Sequence, residues 1–203
     1  MNEDNKKALI ERHRHINVED DWWDSIYADF DNICKIIGVV VDGDEPSFTG
    51  FASQGDGASF TGTYRAYAFD LRAGEQHNFY ELAPAEIRKH APEDEELHRI
   101  ADELCMLSRI YFPLHISISR FGRSNYVHEQ TMDCYVEPMQ GDPDDWAEEV
   151  HTHVQGEGTM LMRDLARWLY RTLEDEYDYL TSDEAVWDTI EANELCEAHN
   201  EEE

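Results

Sequence analysis

Lysine is scarce in this chain: only four of the 203 residues are lysine, beside twelve arginines and 46 aspartates and glutamates. The formal net charge is therefore −30. Such a surplus of negative charge repels nucleic acid, anionic membranes and phosphorylated ligands, and it attracts basic protein surfaces. We therefore expect no direct binding to nucleic acid and no membrane association, and we expect a basic protein as the partner.

Long hydrophobic runs are also missing. The first twenty residues are polar and charged, unlike a signal peptide, and no later stretch approaches the roughly 20 apolar residues of a membrane span. We expect a soluble, cytoplasmic protein. The cysteines are scattered without a Cys-x-x-Cys pair, which favours reduced core thiols over disulfides or zinc. They are Cys34, Cys105, Cys134 and Cys196. We predict no metal site and no cofactor.

Hydrophobic residues nevertheless make up 41% of the chain, which is enough for a core. We predict a single domain over residues 1–196, followed by an acidic flexible tail over 197–203. Apolar residues recur at three- and four-residue spacing from Trp23 to Ile37, which predicts an amphipathic helix ending at Gly38.

Two hairpins are predicted after this helix. A short strand over 39–41 precedes a hairpin of 48–53 with 58–69, turning through Gln54-Gly55-Asp56-Gly57. A second hairpin follows from alternation over 110–118 and 132–136, turning at 122–125. Pro84 and Pro92 suit first positions of helices. We expect an α+β fold, with an antiparallel sheet of about four to five strands covered by amphipathic helices.

The C-terminal third is predicted to be helical. The pattern indicates a short acidic helix over 142–150 and a long helix marked by Leu161 to Leu173. Thr181 and Glu184 have the spacing of a capping box for a last helix that contains Val186 and Ile190.

Three stretches of the chain resemble a family of uncharacterised proteins carried by phages and bacterial genomes. They are Ser47 to Phe60, which contains Ser-Gln-Gly-Asp-Gly-Ala-Ser-Phe, Ala91 to Leu104, and Arg163 to Glu184. The resemblance implies a gene that travels on a mobile element. The family has no established activity, so the resemblance supplies no catalytic residue.

A candidate ligand loop lies in the first predicted hairpin, at Ser53, Gln54, Asp56 and Ser59. Backbone N–H groups beside the two glycines can face an anion, and Asp56 with a serine can instead hold a cation. A phosphate-binding loop normally opens a helix, whereas both flanks here have strand patterns, so a plain turn is favoured. No serine, histidine and aspartate motif accompanies the loop, and we predict no catalytic residues.

Two further patterns involve charged residues on helices. Arg163, Arg167 and Arg171 recur every four residues and can clamp a phosphate or an acidic partner, although pairing with internal carboxylates such as Asp164 is the simpler explanation. Glu95 and His98 have the spacing of carboxylate-bridged metal bundles, but such sites need a second motif, which the sequence lacks.

The carboxylates themselves form the main candidate site. Residues 141–203 contain 20 acidic and 3 basic side chains, a net charge of −17. Glu174, Asp175, Glu176 and Asp178 place four charges in about 7.5 Å of helix, or about 1.9 Å per charge, against roughly 1.7 Å in duplex DNA. In the next helix this acidic face continues through Glu184, Asp188 and Glu191.

The leading hypothesis is a non-enzymatic, phage-associated acidic inhibitor. It acts by nucleic-acid mimicry on a basic host defence or DNA-processing protein. Two alternatives stay open. One is a small-ligand or nucleotide sensor or enzyme that uses the 53–59 loop, with the arginines or His98 supplying charge. The other is an interaction protein of a salt-adapted organism, whose acidity and scarce lysine are adaptations to salt.

Overall fold

The structure is a computed structural model that describes residues 2–43, 46–70, 75–111, 114–121, 127–139 and 147–195. The predicted tail over 197–203, the turn at 122–125 and most of the helix predicted over 142–150 lie outside these residues. The chain divides into two compact units, Met1–Ile26 with Arg171–Glu203, and Tyr27–Tyr170. We call them the terminal unit and the central unit. A single domain over 1–196 stays a prediction.

The described residues form six α-helices and eight strands, so the predicted α+β class is confirmed. The helices are α1 Glu3–Arg12, α2 Asp24–Ile37, α3 Phe79–His90, α4 Glu95–Tyr111, α5 Glu148–Leu180 and α6 Asp183–Ala192. The strands are β1 Val39–Val41, β2 Ser47–Phe48, β3 Ala58–Ser59, β4 Gly62–Arg65, β5 Tyr67–Asp70, β6 Glu75–Asn78, β7 Leu114–Arg120 and β8 Met132–Pro138.

The main sheet of the central unit has four antiparallel strands in the order β1-β4-β7-β8. One row across it places Tyr64, Ile116 and Val136 in register, and all three are fully buried. Their sequence neighbours point to the other face, where Tyr135 is 51% exposed. This alternation is typical of an antiparallel sheet with one face on the core and one in water.

Helix α5 packs closely on the buried face of this sheet. A Cβ atom at Gly158 would lie 2.8 Å from Cγ2 of Val136 and 3.3 Å from Cδ1 of Ile116. The absence of a side chain at residue 158 therefore lets the helix backbone approach this buried row on β7 and β8. Two residues earlier, a Cβ at Gly156 would meet no atom within 4 Å.

These two glycines provide a matched test of the packing. Gly158→Ala and Gly156→Ala gain the same helix propensity, but only the methyl group at 158 overlaps the sheet. The Gly158→Ala variant should therefore be less stable than Gly156→Ala by about 1–3 kcal/mol, as expected for an overpacked core. Urea unfolding followed by circular dichroism measures the difference, and equal stabilities would contradict close packing at Gly158.

The first predicted hairpin is wrong in its extent. Its strands β2 and β3 are only two residues long and form a separate sheet. The run predicted as one strand over 58–69 divides into β3, β4 and β5. Gly62 is the reason for one division, because its φ is +156° and a Cβ there would lie 2.2 Å from the Val40 oxygen.

Several helix boundaries also differ from prediction. Pro84 lies inside α3 rather than at its start, and Pro92 precedes α4. Ile110, expected in a strand, belongs to α4 and is 66% exposed. The described end of the predicted 142–150 helix and the long helix that follows form the continuous α5.

The cap of the last helix is one residue later than predicted. The Ser182 side chain accepts a hydrogen bond from the Ala185 N–H, whereas the Thr181 hydroxyl donates to the Tyr177 carbonyl. The polar N-terminal segment, for which no helix is predicted, forms α1. Because α1 has few apolar residues, its helical pattern is weak.

The terminal unit has a small core of its own. Leu9 and Ile10 of α1 pack against Val186 and Ile190 of α6, and all four are buried. Arg14 adds polar contacts, donating to the Thr181 carbonyl at 3.0 Å and to Asp183 at 2.5 Å. The arrangement buries the apolar face of α6 and leaves its opposite face in water.

Three of the cysteines lie in the core of the central unit, as predicted. Cys34, Cys105 and Cys134 are free and buried, while Cys196 lies outside the described residues. Burial raises the pKa of the Cys134 thiol to about 12 and raises the pKa of Cys34 well above its ordinary value. Both thiols are therefore protonated at neutral pH and are poor nucleophiles.

Candidate functional site

The terminal unit concentrates the negative charge. Its 59 residues contain 20 acidic and 5 basic side chains, a net charge of −15. The 144 residues of the central unit carry the same net charge of −15, spread over more than twice the length. The acidic surface predicted from the sequence therefore belongs to the unit that has the higher negative charge per residue, more than twice that of the central unit.

The four carboxylates predicted on α5 do not share one face. Asp175 and Asp178 are exposed, and Glu174 and Glu176 are half-buried. A helix turns about 100° per residue, so Glu176 lies about 200° around the axis from Glu174. The face with Glu174, Asp175 and Asp178 then carries about one charge per 2.5 Å, which is sparser than the roughly 1.7 Å of duplex DNA.

The acidic face of α6 contains the predicted residues, but lysines of α1 reduce its net negative charge. Glu184, Asp188 and Glu191 are all exposed, on the side of α6 away from its buried residues. Glu184 and Asp188 also line a groove of about 310 Å³ together with Lys6 and Lys7 of α1. These lysines offset part of the negative charge, which the sequence does not reveal because the two helices are far apart in it.

The predicted acidic residues remain available to a partner. Among the residues that the structure describes, none of the seven carboxylates predicted as the acidic face of α5 and α6 forms an ion pair. Lys6 instead lies over the ring of Trp187, with Nζ 4.1 Å from its centre, and Arg14 pairs with Glu11 and Asp183. Internal cations thus leave the candidate face largely uncompensated.

The candidate ligand loop is organised by its own aspartate. Oδ2 of Asp56 accepts hydrogen bonds from the N–H groups of Ala52 at 3.0 Å and Ser53 at 2.7 Å. The Ser53 and Gln54 side chains are exposed, while Ser59 is completely buried. The four predicted loop residues therefore point to different environments and do not form a single site.

Contacts at the base of the loop anchor it to the central unit. Thr49 Oγ1 accepts from the Gly57 N–H at 3.0 Å, and a Cβ at Gly57 would lie 2.9 Å from Cδ2 of His128. The Tyr170 hydroxyl donates to the Gly50 carbonyl at 3.2 Å, and its ring lies 5.4 Å from that of Phe51. These contacts account for the glycine at residue 57 without a ligand.

Removing the Asp56 carboxylate should loosen this loop. In Asp56→Ala two N–H groups lose their acceptor, and we expect an exposed pair of this kind to be worth about 1 kcal/mol. Exchange of the Ala52 and Ser53 amide hydrogens should then become about fivefold faster by mass spectrometry or NMR. Asp56→Asn keeps an acceptor oxygen, so its exchange rate should lie between those of the unmodified protein and Asp56→Ala. Unchanged exchange in Asp56→Ala would contradict the assigned role.

The three predicted arginines have different surroundings. Arg167 pairs through Nη2 with Asp164, and its Nε lies 3.8 Å from Glu129, which is the internal pairing favoured from the sequence. Arg171 is exposed and belongs to the terminal unit. Arg163 donates from Nη2 to the Met132 carbonyl at 2.9 Å. The stripe is therefore not a uniform anion clamp.

Asp164, also on α5, is the centre of a charged cluster. It is only 5% exposed, and it also pairs with Nη2 of Arg99 at 2.5 Å. Burial by itself lowers the pKa of Arg99, but the hydrogen bond and charge contact with Asp164 outweigh it, so the pKa is raised. The guanidinium stays charged, as a buried carboxylate requires of its partner.

A polar stripe on α5 covers the edge of the sheet, a feature that sequence reasoning missed. Oε1 of Gln155 accepts from the Val136 N–H at 2.9 Å, and its Nε2 donates to the Cys134 carbonyl. With Arg163 on the Met132 carbonyl, these side chains satisfy backbone groups of β8, the edge strand. The signal was the four-residue spacing of Gln155, Thr159 and Arg163, directly beside the buried positions Val154, Gly158 and Met162.

Beside this stripe lies a pocket of about 510 Å³. None of the described residues that line it is acidic, in a chain where 46 of 203 residues are. Its described lining comes from the 3-10 turn Glu129–Thr131 and residues 151–167 of α5. The lining residues are Gln130, His151, Thr152, Gln155, Gly156, Thr159, Met160, Arg163 and Arg167.

Two further predictions concern His98 as a metal ligand and the lack of a membrane span. Nε2 of His98 lies 2.8 Å from the Ala91 carbonyl oxygen and can donate to it. Within the described ranges, no group of three or more His, Cys, Asp or Glu residues could hold a metal ion. No helix in that part of the chain is both long enough and apolar enough to span a bilayer.

Residues 22–183 match the model of a family described as "Domain of unknown function (DUF8835)". The chain belongs to this family. The DUF8835 match includes the loop, the three arginines and the α5 carboxylates, and it ends before Glu184. No curated protein and no solved structure matched the chain. Membership of an uncharacterised family is therefore confirmed, whereas the hairpin motif as a mark of that family and an origin in phages stay predictions.

Proposed function

We propose that this DUF8835 protein is a non-enzymatic acidic binding protein that docks on a basic protein through the terminal unit. The observation that carries the proposal is the net charge of −15 in 59 residues, with seven carboxylates on α5 and α6 that form no ion pair among the described residues. Such a surface accelerates association with a basic partner and makes affinity fall with salt.

The finer proposal is that the partner is a basic nucleic-acid-binding protein, of a host defence or DNA-processing class, and that the gene is phage-associated. Exposed Asp175 and Asp178 would then occupy positions that phosphates take in the partner's groove. Since the α5 face is sparser in charge than a duplex, the mechanism would be occlusion of the groove rather than a close copy of DNA. Binding of this protein and of DNA would be mutually exclusive.

The docking face can be tested by neutralising the four α5 carboxylates together, as Glu174→Gln, Asp175→Asn, Glu176→Gln and Asp178→Asn. Affinity for a purified basic DNA-binding protein should fall at least about tenfold at about 50 mM salt, since several exposed pairs of up to about 1 kcal/mol each are lost. Titration calorimetry across a panel of such proteins, with duplex DNA as the competitor, measures both affinity and exclusivity.

A matched variant controls for net charge. Glu93→Gln, Asp133→Asn, Glu148→Gln and Glu149→Gln also removes four carboxylates, all of them exposed and all from the central unit. It should keep most of the affinity if the docking face lies on the terminal unit. Equal losses in both variants would mean that only total charge matters, and an unchanged affinity in the first variant would reject the groove proposal.

The scarcity of lysine favours a second candidate, an interaction protein whose acidity is a salt adaptation. Its distinguishing property is the salt dependence of folding. A salt-adapted chain should lose helical circular dichroism when ions are removed and regain it in molar salt, whereas a docking protein for ordinary cytoplasm should remain folded at low salt. The same measurement on the two charge variants would show which carboxylates cause any such loss.

A further inference from the structure

The pocket beside α5 is chemically unlike the rest of this acidic protein. Two of its nine lining residues are arginines, and Gln130 and Thr152 add exposed side chains that can donate hydrogen bonds. No carboxylate lines it in the part of the chain that the structure describes. Its volume of about 510 Å³ lies within the range of small-molecule sites, which runs from about 300 to 1,000 Å³.

Arg163 is the residue whose state in the pocket calls for an explanation. Its Nη2 donates to a backbone carbonyl, and its Nε is buried without a hydrogen-bond partner among the described residues. It also forms no ion pair in that part of the chain. An arginine is always charged, and a partly buried charge without a counter-ion is costly. An anion in the pocket would supply the missing counter-charge.

Arg167 supplies a second positive charge at the same pocket. It pairs with Asp164, which also binds Arg99, and its Nε lies 3.8 Å from Glu129. The Arg167 side chain remains 47% exposed. Arginine presents five N–H donors, so these pairs leave donor capacity for an oxyanion.

We propose that this pocket binds a small organic anion through a phosphate or carboxylate group held by Arg163 and Arg167. Met160, which is 42% exposed, gives the pocket an apolar wall for the rest of the ligand. The net charge of the protein opposes such binding, but charges beyond a Debye length of about 8 Å at physiological salt are largely screened. Among the described lining residues, the two arginines are the only Lys, Arg, Asp or Glu side chains.

Gly156 offers a test that leaves the arginines unchanged. It lines the pocket, and a Cβ there would meet no atom within 4 Å, so a longer side chain can enter without displacing the protein. Gly156→Glu adds a carboxylate to the pocket, and Gly156→Gln adds a neutral side chain of the same size. Comparing these variants separates the electrostatic effect from simple filling of the space.

The probes are inorganic phosphate and succinate, titrated at constant ionic strength into labelled protein and followed by amide NMR. We expect at least one probe to give saturable shifts at pocket residues such as Gln130 and Thr159, with a Kd of roughly 1–10 mM. The probe that saturates identifies the anionic group as phosphate or carboxylate. Gly156→Glu should weaken binding at least about fivefold relative to Gly156→Gln.

A second variant tests the arginine directly. Arg167→Gln alters a half-exposed side chain and should also weaken binding at least about fivefold. Because it removes one partner of the buried Asp164, its melting temperature should fall, and amide shifts that are unchanged away from the pocket in the absence of probe show that it remains folded. The proposal is overturned if neither probe gives saturable shifts up to about 20 mM. Equal affinities of the Gly156→Glu and Gly156→Gln variants would overturn it too. These outcomes are independent of the docking surface, which the terminal unit carries.

Discussion

The close contact between α5 and the main sheet is the constraint on which the central unit depends. Gly158 brings the helix backbone to the buried rows of β7 and β8, where a single added methyl group would overlap Val136. At this distance the side chains of Gln155 and Arg163 reach the edge of β8 and satisfy its backbone groups. An open edge strand invites pairing with other chains, so the helix both completes the core and protects the sheet.

The same contact explains how Arg163 comes to line the pocket beside α5. Arg163 is drawn to the Met132 carbonyl of the edge strand, which buries part of its guanidinium group. Among the described residues Arg163 forms no ion pair, and its sequence neighbour Asp164 pairs with Arg99 and Arg167 instead. A structural requirement of the sheet edge therefore creates a local positive charge within a chain of net charge −30.

The parts of the fold predicted from the sequence are those with strong periodicity. The α2 stripe, the β7 and β8 alternation and the buried face of α6 all follow from apolar residues at regular spacing. The errors lie where tertiary contacts decide. Gly62 interrupts a continuous β-rich run because β1 approaches it, and α1 is stable through its packing on α6 despite a weak pattern of its own.

The candidate sites were less predictable because they depend on distances between separate segments. Helical spacing correctly indicated the exposed α6 acids, but only the structure brings Lys6 and Lys7 of α1 beside two of them. Asp56 was a reasonable ligand residue from its glycine neighbours, yet its carboxylate binds the backbone of its own loop. The role of Gln155 requires knowing which strand lies at the edge, and spacing alone cannot supply that.

The extent of the family match bears on which carboxylates could carry a docking function shared by DUF8835 proteins. The match includes Glu174, Asp175, Glu176 and Asp178 but ends before the three acidic residues of the α6 face. Those three also include the two residues beside the lysines, where charge is partly offset. The α5 carboxylates are therefore the part of the proposed surface that lies within the matched segment, and the α6 face lies beyond it. Asp175 and Asp178, exposed within the matched segment, are for this reason the central residues of the proposed surface.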